Sequence, residues 1–305
     1  GETDAPTTAP TQAPTPVAGA TVYCDTIQEI RDALAAAGPG SRIVIRSGSY
    51  IPQDRGSFDY GGYTIAPYYW AQVSGTEAAP IVLEGESASQ KPVLGGSDTV
   101  NGYAFWLHQS DNWIIRNIEF TSAKKGMVLD ACDNCRIDGV SVTNIGQEGI
   151  HLRSGSNDNL IENTLVDGTG FTDLGYGEGI YIGSDNSVWD TYDRYNHRNV
   201  VRSCTIMDTR AEGVDVKEGT IGTIIEYCTV YGGSVSGSNS ADSFIDLKGD
   251  SARVRHNTFY REANSIVTRG VAIVDRRVEL SSTNNWIYGN VFYLDDATGV
   301  MVHAY

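Results

Sequence analysis

The chain repeats one six-residue phrase seven times, and this periodicity constrains the fold more than any other feature. The phrase is a β-branched or apolar residue, four variable residues and a second apolar residue. It begins at Ile115 (IRNIEF), Ile137 (IDGVSV), Ile161 (IENTLV), Val201 (VRSCTI), Ile225 (IEYCTV), Val254 (VRHNTF) and Ile287 (IYGNVF). Successive starts lie 22, 24, 40, 24, 29 and 33 residues apart. A second phrase follows most copies: GMVLD from 126, GIHLR from 149, GIYIG from 179, GVDVK from 213, FIDLK from 244 and GVMVH from 299. Two short strands per unit, with loops of variable length between them, predict a solenoid of stacked coils. One unit cannot bury its apolar face alone; a stack can.

With 305 residues the chain is long enough for one large solenoid, and the unbroken phrase from about 100 onward argues for a single body. A net charge of −16 argues against nucleic acid and anionic membranes as partners. An acidic polymer would need a local basic patch or a bridging cation. No apolar run is long enough to span a membrane. The start at Gly1, with no signal-peptide pattern, suggests a processed chain.

Residues 1–17, GETDAPTTAPTQAPTPV, hold four prolines and almost no apolar bulk. Such a tract is expected to be extended, and Thr with Pro is the composition of O-glycosylated stalks. Thr7, Thr8, Thr11 and Thr15 are the candidate acceptors. Residues 1–20 are therefore set apart as a tail, and 21–305 as one domain.

Five cysteines are present. Cys204 and Cys228 share the fourth position of the phrase, which stacks them on adjacent coils about 4.8 Å apart. That lies within reach of a disulfide, with an inward ladder of two thiols as the alternative. Cys132 and Cys135 form a CxxC without a second Cys or His pair, which favours a disulfide to Cys24 over zinc.

Residues 25–37, DTIQEIRDALAAA, are expected to be helical, capped by Asp25 or Thr26, with Ile27, Ile30 and Leu34 on one face. GPG at 38–40 ends the helix, and RIVIRSGSY follows as strand and turn. Together with APIVLEGE at 79–86, this opening resembles the N-terminal cap of right-handed parallel β-helix proteins of the pectate-lyase-like superfamily. The resemblance spans about residues 22–305. It implies an all-β fold: a right-handed parallel β-helix with a short N-terminal capping α-helix. The superfamily hosts several functions, so the fold does not choose among them.

In the second phrase the non-core residues form two outward columns. One reads Val128, His151, Tyr181, Asp215, Asp246, and the other Asp130, Arg153, Gly183, Lys217, Lys248. Glu212, Asp215, Asp242 and Asp246 should gather near Lys217 and Lys248. The insertion 184–198 should lie beside them with Trp189, Tyr192 and Tyr195, whose rings could stack on sugars. This grouping is similar to that of Ca²⁺-dependent polysaccharide lyases of the same superfamily. The resemblance implies Glu212, Asp215, Asp242 and Asp246 as Ca²⁺ ligands, Lys217 or Lys248 of lowered pKa as base, and Arg153 on the substrate carboxylate. His151 and Tyr181 are further catalytic candidates. An alternating Asp/Lys ladder that merely neutralises itself is the structural alternative.

Two functions follow as expectations. The first is an extracellular, glycosylated structural protomer. Its tail would cover the uncapped C-terminal coil of the next copy, and such head-to-tail contacts build a fibre or surface layer. The second is a Ca²⁺-dependent lyase cleaving a uronate-containing polymer by β-elimination. A non-catalytic carbohydrate-binding protein is a weaker third. The sequence alone favours the first, on the tail and the bare C-terminal end.

Overall fold

The computed structural model describes residues 19–295 and 299–305. The candidate glycosylation sites Thr7, Thr8, Thr11 and Thr15 lie outside the described residues. Three parallel sheets run the length of the molecule, with ten, nine and nine strands. In each, every strand pairs with the equivalent strand of the coils before and after it, the signature of a β-helix. The single described α-helix, α1 (Ile27–Ala35), is closed by a capping box between Thr26 and Glu29. It buries Ile30, Ala33 and Leu34 against the first coil. No described helix is long and apolar enough to cross a membrane.

Each coil has three strands, not the two expected. The repeated phrase that reads as one strand is split by a bend at its third residue. That residue is left-handed in all seven copies: Asn117, Gly139, Asn163, Ser203, Tyr227, His256 and Gly289, with φ between 51° and 68°. Left-handed backbone disfavours long extended pairing and turns the chain from the first sheet to the second. Asn and Gly suit the position; Tyr227 and His256 occupy it at some cost and stack their rings 5.4 Å apart.

The fourth position points inward and forms a ladder. It ends in Asn257 and Asn290: Asn257 Nδ2 donates to the Ile225 carbonyl and its Oδ1 accepts from the Cys228 N–H, and Asn290 repeats the pattern on the Val254 carbonyl and the Asn257 N–H. The expected disulfides are absent: all five cysteines are buried free thiols. The Sγ atoms of Cys204 and Cys228 each donate to a carbonyl two residues back, on Arg202 and Glu226. Stacked parallel strands hold Cα–Cβ bonds side by side at about 4.8 Å, whereas a disulfide needs Cβ atoms about 3.8 Å apart and a dihedral near 90°. Cys132 and Cys135 likewise donate to carbonyls, of Asp130 and Ser110.

The third sheet carries the second phrase. It includes Tyr103–His108, Lys125–Asp130, Ile150–Arg153, Ile180–Ile182, Val214–Val216, Ser243–Leu247 and Arg269–Ile273. Its register aligns Val128, His151, Tyr181, Asp215 and Asp246 across five coils, as the sequence columns require. At the leading corner of these strands, Gly149, Gly179 and Gly213 stack so closely that a Cβ on Gly179 would sit 2.7 Å from the Gly213 carbonyl oxygen.

Candidate active site

A groove of about 840 Å³ lies over the outer face of the third sheet. The sheet forms its floor. A two-stranded hairpin, Phe58–Tyr60 with Tyr63–Ile65, walls it toward the N-terminal coils. The insertion 184–198 meets this hairpin: Tyr192 stacks on Tyr60 with centroids 5.2 Å apart, and the Tyr60 hydroxyl is 2.7 Å from Ser154 Oγ.

The columns place His151, Tyr181, Asp215 and Asp246 side by side on the floor, with Lys217 and Lys248 reaching in from the next column. His151 and Tyr181 have ring centroids 4.3 Å apart, and Lys217 Nζ is 4.8 Å from the Tyr181 ring centre. Lys248 Nζ lies 2.8 Å from Asp215 and 2.7 Å from Asp246. Lys217 Nζ lies 3.0 Å from Asp215 and 3.4 Å from Asp185.

Protonation follows from these contacts. Burial alone would lower Lys217 and Lys248, but the facing carboxylates, Asp215 foremost, outweigh it and hold both above the ordinary lysine range. The expectation of a lysine with lowered pKa is therefore corrected: both are ammonium ions in the resting protein. Burial also opposes ionisation of Asp215, yet its two lysines keep it below the usual carboxylate range. Burial, then Asp215 and Asp246, push Glu212 up to about 8. Burial and neighbouring Glu148 and Asp215 drive Glu178 well above its ordinary value. Burial, then Lys125 and Arg153, hold His151 well below 6.5, so it is neutral. Its Nε2 lies 3.0 Å from the Gly183 carbonyl oxygen, which can only accept. The proton is thus on Nε2, leaving the Nδ1 lone pair with no hydrogen-bond partner among the described residues. Tyr181 stays a phenol, raised by burial and then by Asp215.

Other expected residues are placed differently. Arg153 is buried, forked onto Asp130 at 2.7 and 2.8 Å, and covered by the Tyr192 ring at 3.9 Å. It lines the hairpin end of the groove with one edge of its guanidinium already committed to Asp130. Asp242 pairs with Arg269 at 2.7 Å and does not line the groove. Of the three aromatics only Tyr192 lines it; Trp189 and Tyr195 pack around Arg194.

Sequence reasoning missed Glu148 and Glu178, which share the corner position with Glu212. The signal is the tripeptide Glu-Gly-Ile/Val at 148, 178 and 212, whose glutamate was read at 212 but not at the first two copies. Lys125 donates to Glu148 at 2.6 Å, and Glu148 lies 3.8 Å from His151 Nδ1.

Glu178, Glu212 and Asp215 each offer an oxygen within 4.8 Å of the others, a grouping that could receive a cation. Two ammonium groups already hold Asp215, however, and a divalent ion there would sit beside both. The residues do not suit Ca²⁺, which seeks six to eight oxygen ligands.

A family model described as a right handed beta helix region matches residues 98–304. A solved structure of an alginate lyase from Paenibacillus sp. str. FPU-7 is 36% identical, with a TM-score of 0.86, over 93% of this chain and 90% of that one. The chain therefore belongs to the right-handed β-helix family. Pectate lyase Pel9A shares the fold at 17% identity and a TM-score of 0.60, over 85% of this chain and 63% of its own. A rhamnogalacturonan lyase does so at 14% and 0.65, over 90% and 73%. No curated protein matches. These findings overturn the expectation of a head-to-tail structural protomer. The chain is similar over nearly its full length to an enzyme that has the same extent, and its most elaborate feature is a groove of titratable groups rather than an assembly surface.

Proposed function

We propose that the protein is a polysaccharide lyase that cleaves a uronate-containing polymer by β-elimination. The observation that carries this reading is the grouping of a neutral histidine, a protonated phenol and two ammonium ions on one groove floor. Similarity to an alginate lyase at 36% identity supports it and points to alginate as the first polymer to try.

The roles follow from protonation. His151 Nδ1 takes the C5 proton, α to the uronate carboxylate. The released electron pair forms the C4–C5 double bond, and the C4–O glycosidic bond breaks. The departing oxygen takes the proton of the Tyr181 hydroxyl. Lys217 and Lys248 neutralise the carboxylate as the C–H bond weakens, the work assigned by family resemblance to Ca²⁺. The polymer is too large to enter a cell, which accords with the expected extracellular location.

The test is ultraviolet absorbance of the unsaturated product with alginate. His151→Ala and Tyr181→Phe should each cost about 10²–10⁴-fold in kcat while the protein still folds, His151→Ala with a lowered melt because it empties a buried site. Because the histidine is neutral well below pH 6.5 and the phenol stays protonated, the rate should hold a broad plateau through neutral pH. A rate that instead climbs steadily into alkaline solution would move the base to Lys217. Chelation should leave the rate unchanged; a loss restored by Ca²⁺ would reject the lysine role.

A further inference from the structure

Most cations that line the groove are committed to a carboxylate. Lys125 bridges Glu148, Arg153 is forked on Asp130, and Lys217 and Lys248 share Asp215. Two are not. Lys124 has no side-chain hydrogen bond or ion pair among the described residues. Arg276 has only loose neighbours: Asn186 at 3.5 Å, Asp185 at 3.7 Å and Glu218 at 3.8 Å. A guanidinium at these distances makes no firm hydrogen bond.

Their positions are opposed. Lys124 immediately precedes the strand Lys125–Asp130, at the leading ends of the floor strands. Arg276 follows the strand Arg269–Ile273 and turns back to residues 185, 186 and 218, which lie beyond the trailing ends of Ile180–Ile182 and Val214–Val216. The hairpin and Tyr192 wall the groove toward the N-terminal coils, and Val274 and Tyr305 line it toward the C-terminal ones. Lys124 and Arg276 thus lie at opposite ends of the floor strands.

We infer that Lys124 and Arg276 form a two-ended carboxylate clamp, which holds an acidic polysaccharide across the strands with its reacting sugar over His151 and Tyr181. The clamp rests on the lyase reading but concerns different residues. Repeating carboxylates on the polymer would meet Lys124 on one side of the reacting sugar and, on the other, Arg276, which Asp185 and Glu218 hold only at 3.7 and 3.8 Å. Arginine suits a carboxylate through its planar fork, and Lys124 supplies a point charge.

Kinetics on a long polyuronate and on a uronate trimer provide the test, with unsaturated product as readout. Arg276→Gln and Lys124→Gln should each raise KM for the polymer about tenfold, the factor carried by ~1.4 kcal/mol, and leave kcat nearly unchanged. Arg276→Lys should recover part of the loss. On the trimer, which is too short to reach both ends, at least one of the two substitutions should have no effect. Arg253→Gln, an equal charge change on an exposed position of the first sheet, serves as control and should leave KM where it was. An active wild type whose polymer KM is unmoved by Arg276→Gln and Lys124→Gln, or moved equally by Arg253→Gln, would overturn the clamp. A wild type without unsaturated product would overturn the lyase reading instead. The clamp would then stand or fall on whether the two variants weaken polyuronate retention in affinity electrophoresis.

Discussion

Among single residues, Glu212 shows most directly what the groove demands of the fold. It is buried beside Asp215 and Asp246, and its carboxyl is pushed from an ordinary 4.5 to about 8. Between those values the folded protein holds a proton that the unfolded chain releases, so stability falls as pH rises through this window. Each pH unit costs up to ~1.4 kcal/mol. Glu212→Gln, which keeps the shape and removes the titration, should leave stability unchanged below about pH 4.5 and raise it increasingly toward pH 8. Denaturant melts at several pH values check this; parallel pH profiles for the two proteins would refute it. The same residue shows the reach and limit of the sequence. Its place in the cluster was legible, because it immediately precedes the second phrase that sets Asp215 and Lys217 in the outward columns. Its protonation was not, because that depends on how deeply the coil buries it and on the balance between Asp215 on its own coil and Asp246 and Lys248 on the next. The lysines were misjudged because their closeness to Asp215 was legible but the balance was not: burial lowers a lysine, and contacts of 3.0 and 2.8 Å to Asp215 outweigh it.

Among elements, the corner before each floor strand is the most constrained. Gly149, Gly179 and Gly213 let successive coils approach closely and set Glu148, Glu178 and Glu212 in one row. A methyl group on Gly179 would lie 2.7 Å from the Gly213 carbonyl oxygen and 2.6 Å from Ile206 Cγ2. Gly179→Ala should therefore cost about 1–3 kcal/mol by overpacking. It should also lower kcat, since Glu178 and Tyr181 flank the site of strain; a melt and a rate on the same preparation check both. At this scale the sequence announced the strands but not their number per coil. The bend that makes three from two is carried by Asn, Gly, Ser, Tyr or His, with no residue type common to all seven copies. The hairpin at 58–65 was invisible because it belongs to no repeat, and its importance lies in contacts with Tyr192 and Ser154 far along the chain.

For the whole molecule, the net charge of −16 opposes the approach of any polyanion, whereas on the lyase reading the cations of the groove would draw it in locally. At low ionic strength, about 0.01 M, the Debye length is about 30 Å and much of the molecular charge is felt at the groove; at 0.15 M it is about 8 Å and only neighbouring groups count. The value of kcat/KM on a polyuronate should therefore rise as salt increases over this range. A monotonic fall would mean that the groove's own cations dominate at every distance. The coil length carries a different consequence. One coil is extended to a 40-residue step by the insertion 184–198, yet the strands on either side keep their register, Leu160 with Val200 and Ile180 with Val214. Additions made at a coil's corners leave the spacing of the reacting groups intact. Loop and floor are thus separable in this architecture: corners can be lengthened or exchanged, by evolution or by design, while the row His151, Tyr181, Asp215 and Asp246 keeps its spacing.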